Sequence, residues 1–448
     1  MKAKRKIGWV GGLVAILFMG LPTVVHADWG EILSKFQPYI TFQEEYSSNI
    51  FLTETGKIGD YITTVSPGLR FSTLPRIPTT GGFQRVPTPE DRFGMDLDIR
   101  AGFVFYGKEE DNNYISLNGT LNAWVALTQG LTFRIRDYII RSDAAREPVY
   151  SGDAPPDQFL LSTVRGQQAI YVRNVVEPSV EYRFGRENLL SILYRNNTYE
   201  VQNIPGQMFE DSQENTINPR VTYWFDIRNG ITLDYSLTFG HYERSPDDLT
   251  HGVRARYTHR WNPRFSIFGE YSYLNRSFES PGIDYDVHNP SLGVEYRFSP
   301  TLVGTVQGGY FWQNPDQGSK TRGPSVNLGL TKTGERTIYT LSFVGGYTED
   351  YFTAENRGFA RYYRVYGTVN HRLTEQMSVG LTGSLERSTF RGNGEKDWTW
   401  GVSGNASYQL FRWLGLSLIV SHRENHSNID NLDYSEYRGI FRVTATYN

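Results

Sequence analysis

The sequence predicts an all-β protein: a closed up-and-down antiparallel transmembrane β-barrel of about 20 strands, with 18 as the alternative, short periplasmic turns and long extracellular loops. Three observations predict it. Segments of alternating apolar and polar residues recur from Tyr39 onward. Tight turns and long polar connections alternate strictly between them. Aromatic residues make up 15% of the chain although its mean hydropathy is -0.47. That combination excludes a helical membrane protein, which needs long apolar runs, and a disordered chain, which is poor in aromatics.

Of the 448 residues, residues 1–27 read as a signal peptide. Lys2 to Lys6 is a basic start, Ile7 to Leu21 an apolar run, and Val25-His26-Ala27 a small-residue cleavage site. An uncleaved anchor is the alternative, but Gly8, Gly11, Gly12 and Pro22 leave the run short for a span. The chain carries 45 basic and 48 acidic residues; without Lys2, Lys4, Arg5 and Lys6 the balance is 41 against 48, or -7. This mild acidity argues against nucleic acid as a partner. With no cysteine, no disulfide framework supports the exported chain. Residues 28–38 form a short N-terminal periplasmic segment. Trp29, Ile32, Leu33 and Phe36 at helical spacing suggest an amphipathic helix there, with a frayed terminus as the alternative.

Residues 39–448 are the barrel. The first strands are predicted over 39–46, 61–71, 93–105, 114–127 and 131–140. In the third, Phe93, Met95, Leu97, Ile99, Ala101, Phe103 and Phe105 form one face and Asp96, Asp98, Arg100 and Gly102 the other. Strands follow over 169–184, 189–199, 217–225, 231–241, 251–261, 265–274, 288–298 and 302–312, then over 324–331, 337–347, 359–372, 377–386, 398–410, 414–422 and 436–447. Turns such as Thr128-Gln129-Gly130, Asn262-Pro263 and Ser299-Pro300 alternate with polar connections. A Greek-key sandwich has no reason to produce this alternation, and an even strand count puts both barrel ends on the periplasmic side. The connection 72–92, with Pro75, Pro78, Pro87 and Pro89, is long for such a turn and reads as a docking element or a stiff excursion. Pro67, Pro178, Pro219, Pro290 and Pro324 recur with apolar residues at +2 and +4, predicting a bulge or local ladder break on descending strands. Phe184, Phe225, Trp261, Phe298, Phe411 and Trp413 fall at the tight-turn ends, where an interfacial aromatic girdle belongs.

The face opposite the apolar stripes lines the lumen. It carries Arg100, Arg134, Arg136, Arg173, Arg195, Arg220, Arg254, Arg256, Arg364, Arg438 and Arg442, with Arg183, Arg260, Arg297 and Arg372. Its carboxylates are Asp96, Asp98, Glu181, Asp234, Glu270, Glu295 and Glu386, with Glu177. Cross-strand ion pairs that stiffen the wall account for many of these. Surplus guanidinium groups suit an anion-attracting path, and inward Trp124, Tyr138 and Trp224 offer stacking surfaces for sugars.

Enzyme signals are poor: HExxH, GxSxG and a P-loop are all missing from the sequence. His422 and His426 have metal-like spacing only on a helix, whereas Asn425, Asn428 and Asn431 around them read as loop. His259 and His371 fall on the outward stripe. No catalytic, metal or cofactor site is expected.

The run from Pro38 to Leu52, PYITFQEEYSSNIFL, followed by Gly59 to Leu69, GDYITTVSPGL, resembles the outer-membrane beta-barrel porin family often associated with exopolysaccharide loci. The resemblance is specific over residues 38–71 and general in architecture beyond. It implies a monomeric, channel-like barrel, linked in some members to polysaccharide export, and brings no catalytic residues. One departure is the end of the chain, where Asn448 follows Tyr447 in place of a terminal aromatic. The expected function is passage or export of oligosaccharide, polysaccharide or other hydrophilic solutes through a polar, Arg-rich pore in the cell outer membrane. The alternatives are a non-conducting structural or docking barrel and, behind it, a lipid- or glycan-modifying barrel enzyme. Expected partners are outer-membrane lipid, a glycan or other solute in the lumen, and periplasmic export proteins.

Overall fold

The computed structural model describes residues 35–73, 92–143, 146–147, 163–164, 170–201, 210–351, 357–392 and 394–447. The predicted signal peptide, most of segment 28–38 and most of the 72–92 connection lie outside the described residues. Twenty strands form one sheet, each antiparallel to its neighbours in the chain. The sheet closes where Phe36–Ser47 pairs with Tyr434–Thr446, from Tyr39 opposite Thr446 to Ser47 opposite Arg438. The two-residue strands Arg146–Glu147 and Thr163–Val164 pair outside the wall.

All twenty predicted strands are present, but most are longer than the apolar stripes indicate. The first begins at Phe36, so three residues assigned to the terminal segment belong to the wall. Ser212–Trp224 begins five residues before the predicted start at 217, and Leu414–Ser427 ends five after 422. The last two extensions lie at the long-loop end. There a strand has left the apolar band, so its backbone pairing continues while the lipid-driven alternation stops. His422 and His426 therefore sit on a strand, not in a loop.

The apolar faces point outward. Phe93, Phe103, Ile115, Leu233, Leu292 and Leu418 are exposed on the outer surface, with Leu292 at 74%. A water-soluble sandwich would bury such residues between two sheets; a single closed sheet leaves them to lipid. Small inward residues let the wall pack. Gly94 lies opposite Trp124, whose ring covers it so closely that an added Cβ would sit 1.9 Å from Cζ2. Trp124 is itself buried, so the ring cannot swing away cheaply. Gly94→Ala is expected to destabilise the barrel by about 1–3 kcal/mol, read as a lower urea midpoint of the lipid-reconstituted protein.

The recurring prolines are ladder breaks rather than bulges. Pairing with the following strand skips Ser66 and Pro67, Glu177 and Pro178, Asn218 and Pro219, and Asn289 and Pro290, then resumes in the same register. The missing N–H of proline explains each gap. Bulges occur elsewhere, just before tight turns, between Arg260 and Asn262, Arg297 and Ser299, and Gln409 and Phe411.

Candidate functional site: the charged lumen wall

Alternation along paired strands turns the predicted lumen residues to one inner face and the apolar residues to the outer one. The ladder registers align many of the inner charges across strands. Glu177, 1% exposed, accepts from Nε of Arg195 at 2.7 Å and stands 3.7 Å from Arg136. Asp234 lies between Arg220 and Arg254, the latter at 2.8 Å. Arg256 reaches Glu270 at 3.3 Å and covers the Phe268 ring. Arg364 pairs with Glu386, Arg438 with Glu45, and Arg183 with Glu181 at 3.6 Å. Asp98 accepts from Arg70 and from the Tyr39 hydroxyl, and Asp96 from Ser72. Arg173 and Arg442 donate to the amide oxygens of Asn197 and Gln43. Except for Arg183 and Glu181, which lie on the same strand, these contacts tie strands together in the manner of wall-stiffening cross-strand contacts.

A smaller set is free of ion pairs among the described residues: Arg100, Arg134, Arg173, Arg297, Arg372, Asp96 and Glu295, with Arg372 donating to the backbone carbonyl of Glu335. Nε of Arg134 is buried without a hydrogen-bond partner among those residues. Arg100 lines a polar recess of the inner wall together with Gln43, Glu45, Thr64, Ser116 and Arg438. The structure also brings inward Glu45, Asp60, Glu214, Asp248, Glu349, Asp397 and Glu436, against Arg70, Arg276 and Arg423. The arginine surplus is thus smaller than apolar stripes alone indicate, because most of these residues lie near strand tops where no stripe marks the face. The inward aromatics are corrected too. Trp124 and Tyr138 are buried in the wall, and Trp224 lies beneath the Arg260 guanidinium, so none presents a free stacking surface.

The six turn-end aromatics are placed as a ring of outer side chains. Phe184 stacks on Tyr182 at 5.7 Å and Phe411 on Trp413 at 5.6 Å, while Phe225 and Phe298 meet Tyr223 and Tyr296 edge-on. Trp261 and Phe298 are the extra residues of two of the bulges, which turn them toward the headgroup level. On the same turns Arg260 reaches Glu187 at 2.6 Å. Hydrogen bonding from that guanidinium holds the Glu187 carboxyl below the usual carboxylate range. A depressed carboxylate contributes stability above its unfolded value and loses it as pH falls through the folded one. Glu187 is half exposed, so Glu187→Gln is expected to cost no more than about 1 kcal/mol at neutral pH and nothing in acid below both values, measured by denaturant midpoints across pH.

The described histidines face outward, an arrangement the apolar stripes identified only for His259 and His371. Tyr235 bonds His251 at 2.8 Å, Tyr271 bonds His288 at 2.6 Å, and His422 stacks on Tyr437 at 4.1 Å. His422 and His426 flank Glu424 at 3.1 and 3.5 Å. Among the described residues no group of three or more His, Asp or Glu is placed to hold a metal ion.

Fold and wall together define a closed transmembrane β-barrel of the outer-membrane type. Residues 241–447 match the family described as "Putative beta-barrel porin 2". Among curated proteins none matches the chain. Similar solved structures include the outer membrane protein OpdK of Pseudomonas aeruginosa, at 11% identity over 92% of this chain and 99% of that one, with a TM-score of 0.44. OccAB4 of Acinetobacter baumannii is similar at 13% identity over 92% and 98%, with a TM-score of 0.42. OprD of Pseudomonas aeruginosa is similar at 11% over 92% and 95%, with a TM-score of 0.38.

Proposed function

We infer that the barrel is a non-catalytic, monomeric pore whose charged lumen passes hydrophilic solutes, with oligosaccharide or polysaccharide export as the specific role. The observation that carries this reading is the inner wall itself. Charged and amide side chains face inward around the barrel, most held in place by cross-strand partners, and Arg100 and Arg134 are left without carboxylates. A rigid polar lining suits passage, since it solvates a moving solute without binding it tightly. The predicted lumen residues and the turn-end girdle act on this reading as pore lining and membrane anchors, and the 72–92 connection as a site for periplasmic export proteins.

Planar-bilayer recording of the pure folded protein tests the pore, and absence of conductance steps would favour the structural or docking barrel. Deletion of the gene followed by assay of surface glycan tests the export role; unchanged glycan leaves a general porin. Arg100→Gln combined with Arg134→Gln is expected to lower the anion-to-cation permeability ratio by a factor of a few in dilute salt. The difference should shrink in 1 M salt, where the screening length falls to about 3 Å from about 10 Å at 0.1 M.

A further inference from the structure

The wall is split at one seam. The hairpin of Thr321–Thr333 and Thr337–Asp350 is laddered from Thr333 opposite Ile338 up to Val326 opposite Gly345, and there the pairing ends. Both strands nevertheless continue upward on their other sides, Thr321 opposite Gln313 and Asp350 opposite Gly358. At the other four prolines the ladder resumes after two residues; above Pro324 it does not. On the facing strand Gly346 adopts φ 150°, a conformation that residues with side chains rarely take. Above it the strand leans into the lumen. Tyr347 packs on Phe311 and Phe359 at 5.3 and 5.5 Å, and Glu349 reaches Arg276 at 3.2 Å.

Side chains close what the backbone leaves open. Outside, the Tyr363 ring covers Gly345, where an added Cβ would meet its Cδ1 at 2.2 Å, and its hydroxyl donates to the carbonyl of Pro324 at 3.2 Å. On the lumen side the stem of Arg361, opposite Tyr347, crosses beside Gly323. Inside, Phe311 and Tyr347 stand behind the seam. A closed barrel normally satisfies every backbone group in lipid through its neighbours; two facing edges bridged only by movable rings depart from that rule. At the outer lip Arg322, opposite the outward Trp312, is exposed on the outer face and has no ion-pair partner among the described residues.

We propose that this seam is a lateral opening through which the apolar tail of an anionic amphiphile of the outer leaflet reaches the lumen, its head group held by Arg322. The rings of Tyr363, Phe311 and Tyr347 offer the tail an apolar path, and the unpaired guanidinium group of Arg322 at the lip suits phosphate or carboxylate oxygens. This goes beyond the pore reading, because it concerns a route through the wall and not along the axis.

The test is photolabelling of the full mature barrel in phosphatidylglycerol bilayers, with p-benzoylphenylalanine replacing Phe311. Controls carry the same probe at the outward Leu330 and at the inward, buried Ile440. The expected result is lipid adducts at 311 and 330 but not at 440, read by intact mass. Adducts at 330 alone overturn the proposal. A Cβ built at Gly346 lies 3.4 Å from that of Ser325, close to the spacing of about 3.5–4.5 Å a disulfide needs. The chain has no other cysteine to interfere. Ser325→Cys with Gly346→Cys is expected to abolish labelling at 311 when oxidised and to restore it when reduced; labelling indifferent to oxidation overturns the seam as the route. Should strain at Gly346 prevent folding, Tyr363→Ala serves instead and is expected to raise labelling at 311 severalfold, no rise counting against the opening. Phosphatidylglycerol should label more than phosphatidylcholine until Arg322→Gln removes the preference; equal labelling in the unaltered protein overturns the anionic head group. None of these readouts needs conductance, so they stand apart from the pore.

Discussion

Glu177→Ala is expected to destabilise the barrel by about 3 kcal/mol or more, with removal of one partner from a buried ion pair typically costing 3–5 kcal/mol. Glu177 is the buried centre of a three-strand tie between Arg136 and Arg195. Its loss leaves two guanidinium groups facing each other across the gap. Their partial exposure to the lumen, 22% and 34% of the side chains, lets water reach them, which places the effect toward the lower bound. The position also adjoins the Pro178 ladder break, so the side-chain tie substitutes locally for missing backbone bonds. Urea unfolding in lipid measures the loss. Adding Arg195→Leu should recover part of it, because the second change removes one of the orphaned charges. The single variant should also be more anion-selective than the parent, since two positive groups lose their counter-charge.

Arg276→Met is expected to cost about 3–5 kcal/mol and, in addition, to change conductance. Arg276 is almost fully buried, 3.5 Å from Asp248 and 3.2 Å from Glu349. Tyr242 donates to Asp248 at 3.1 Å and Tyr285 donates to Glu349. This network fastens the inward-leaning end of Thr337–Asp350 to the inner face of Phe265–Phe278, four strands round the sheet, beside the cluster of Tyr285, Val287, Phe311 and Phe359. Removing the guanidinium leaves two carboxylates with no cation between them, so the leaning strand loses its anchor. Larger or noisier single-channel steps are the expected readout. Pairing Arg276→Met with Glu349→Gln should restore stability in part but not the anchor, which separates the electrostatic cost from the mechanical one.

Strand number, direction and the inner or outer assignment of most residues were legible in the sequence, because lipid outside and water inside impose a period of two on every crossing. Arg220, Asp234 and Arg254 were placed on the inner face by this rule before any partner was known. The rule fails above the apolar band. Arg276 and Asp248 escaped it because strand tops have water on both sides and no stripe to mark the face; Glu349 escaped it because the end of its strand leans inward and carries the face of Tyr339 and Leu341 against the inner wall. Glu45 escaped for a different reason: it lies within a predicted strand, but nothing local tells that Arg438, almost four hundred residues later in the chain, closes against it. Pro324 carried the same local signature as the other four prolines, yet only there does the ladder fail to resume. That outcome depends on Gly346, on Tyr363 two strands away from Pro324 and on the aromatic cluster behind, none of which a five-residue motif contains.

By itself, then, the order of residues determined a single closed sheet in the outer membrane, since alternation is a local response to two solvents. Which charges meet, which aromatics are exposed and where the wall parts were decided by the tertiary structure, because ring closure brings distant strands into a register that no neighbouring residues encode.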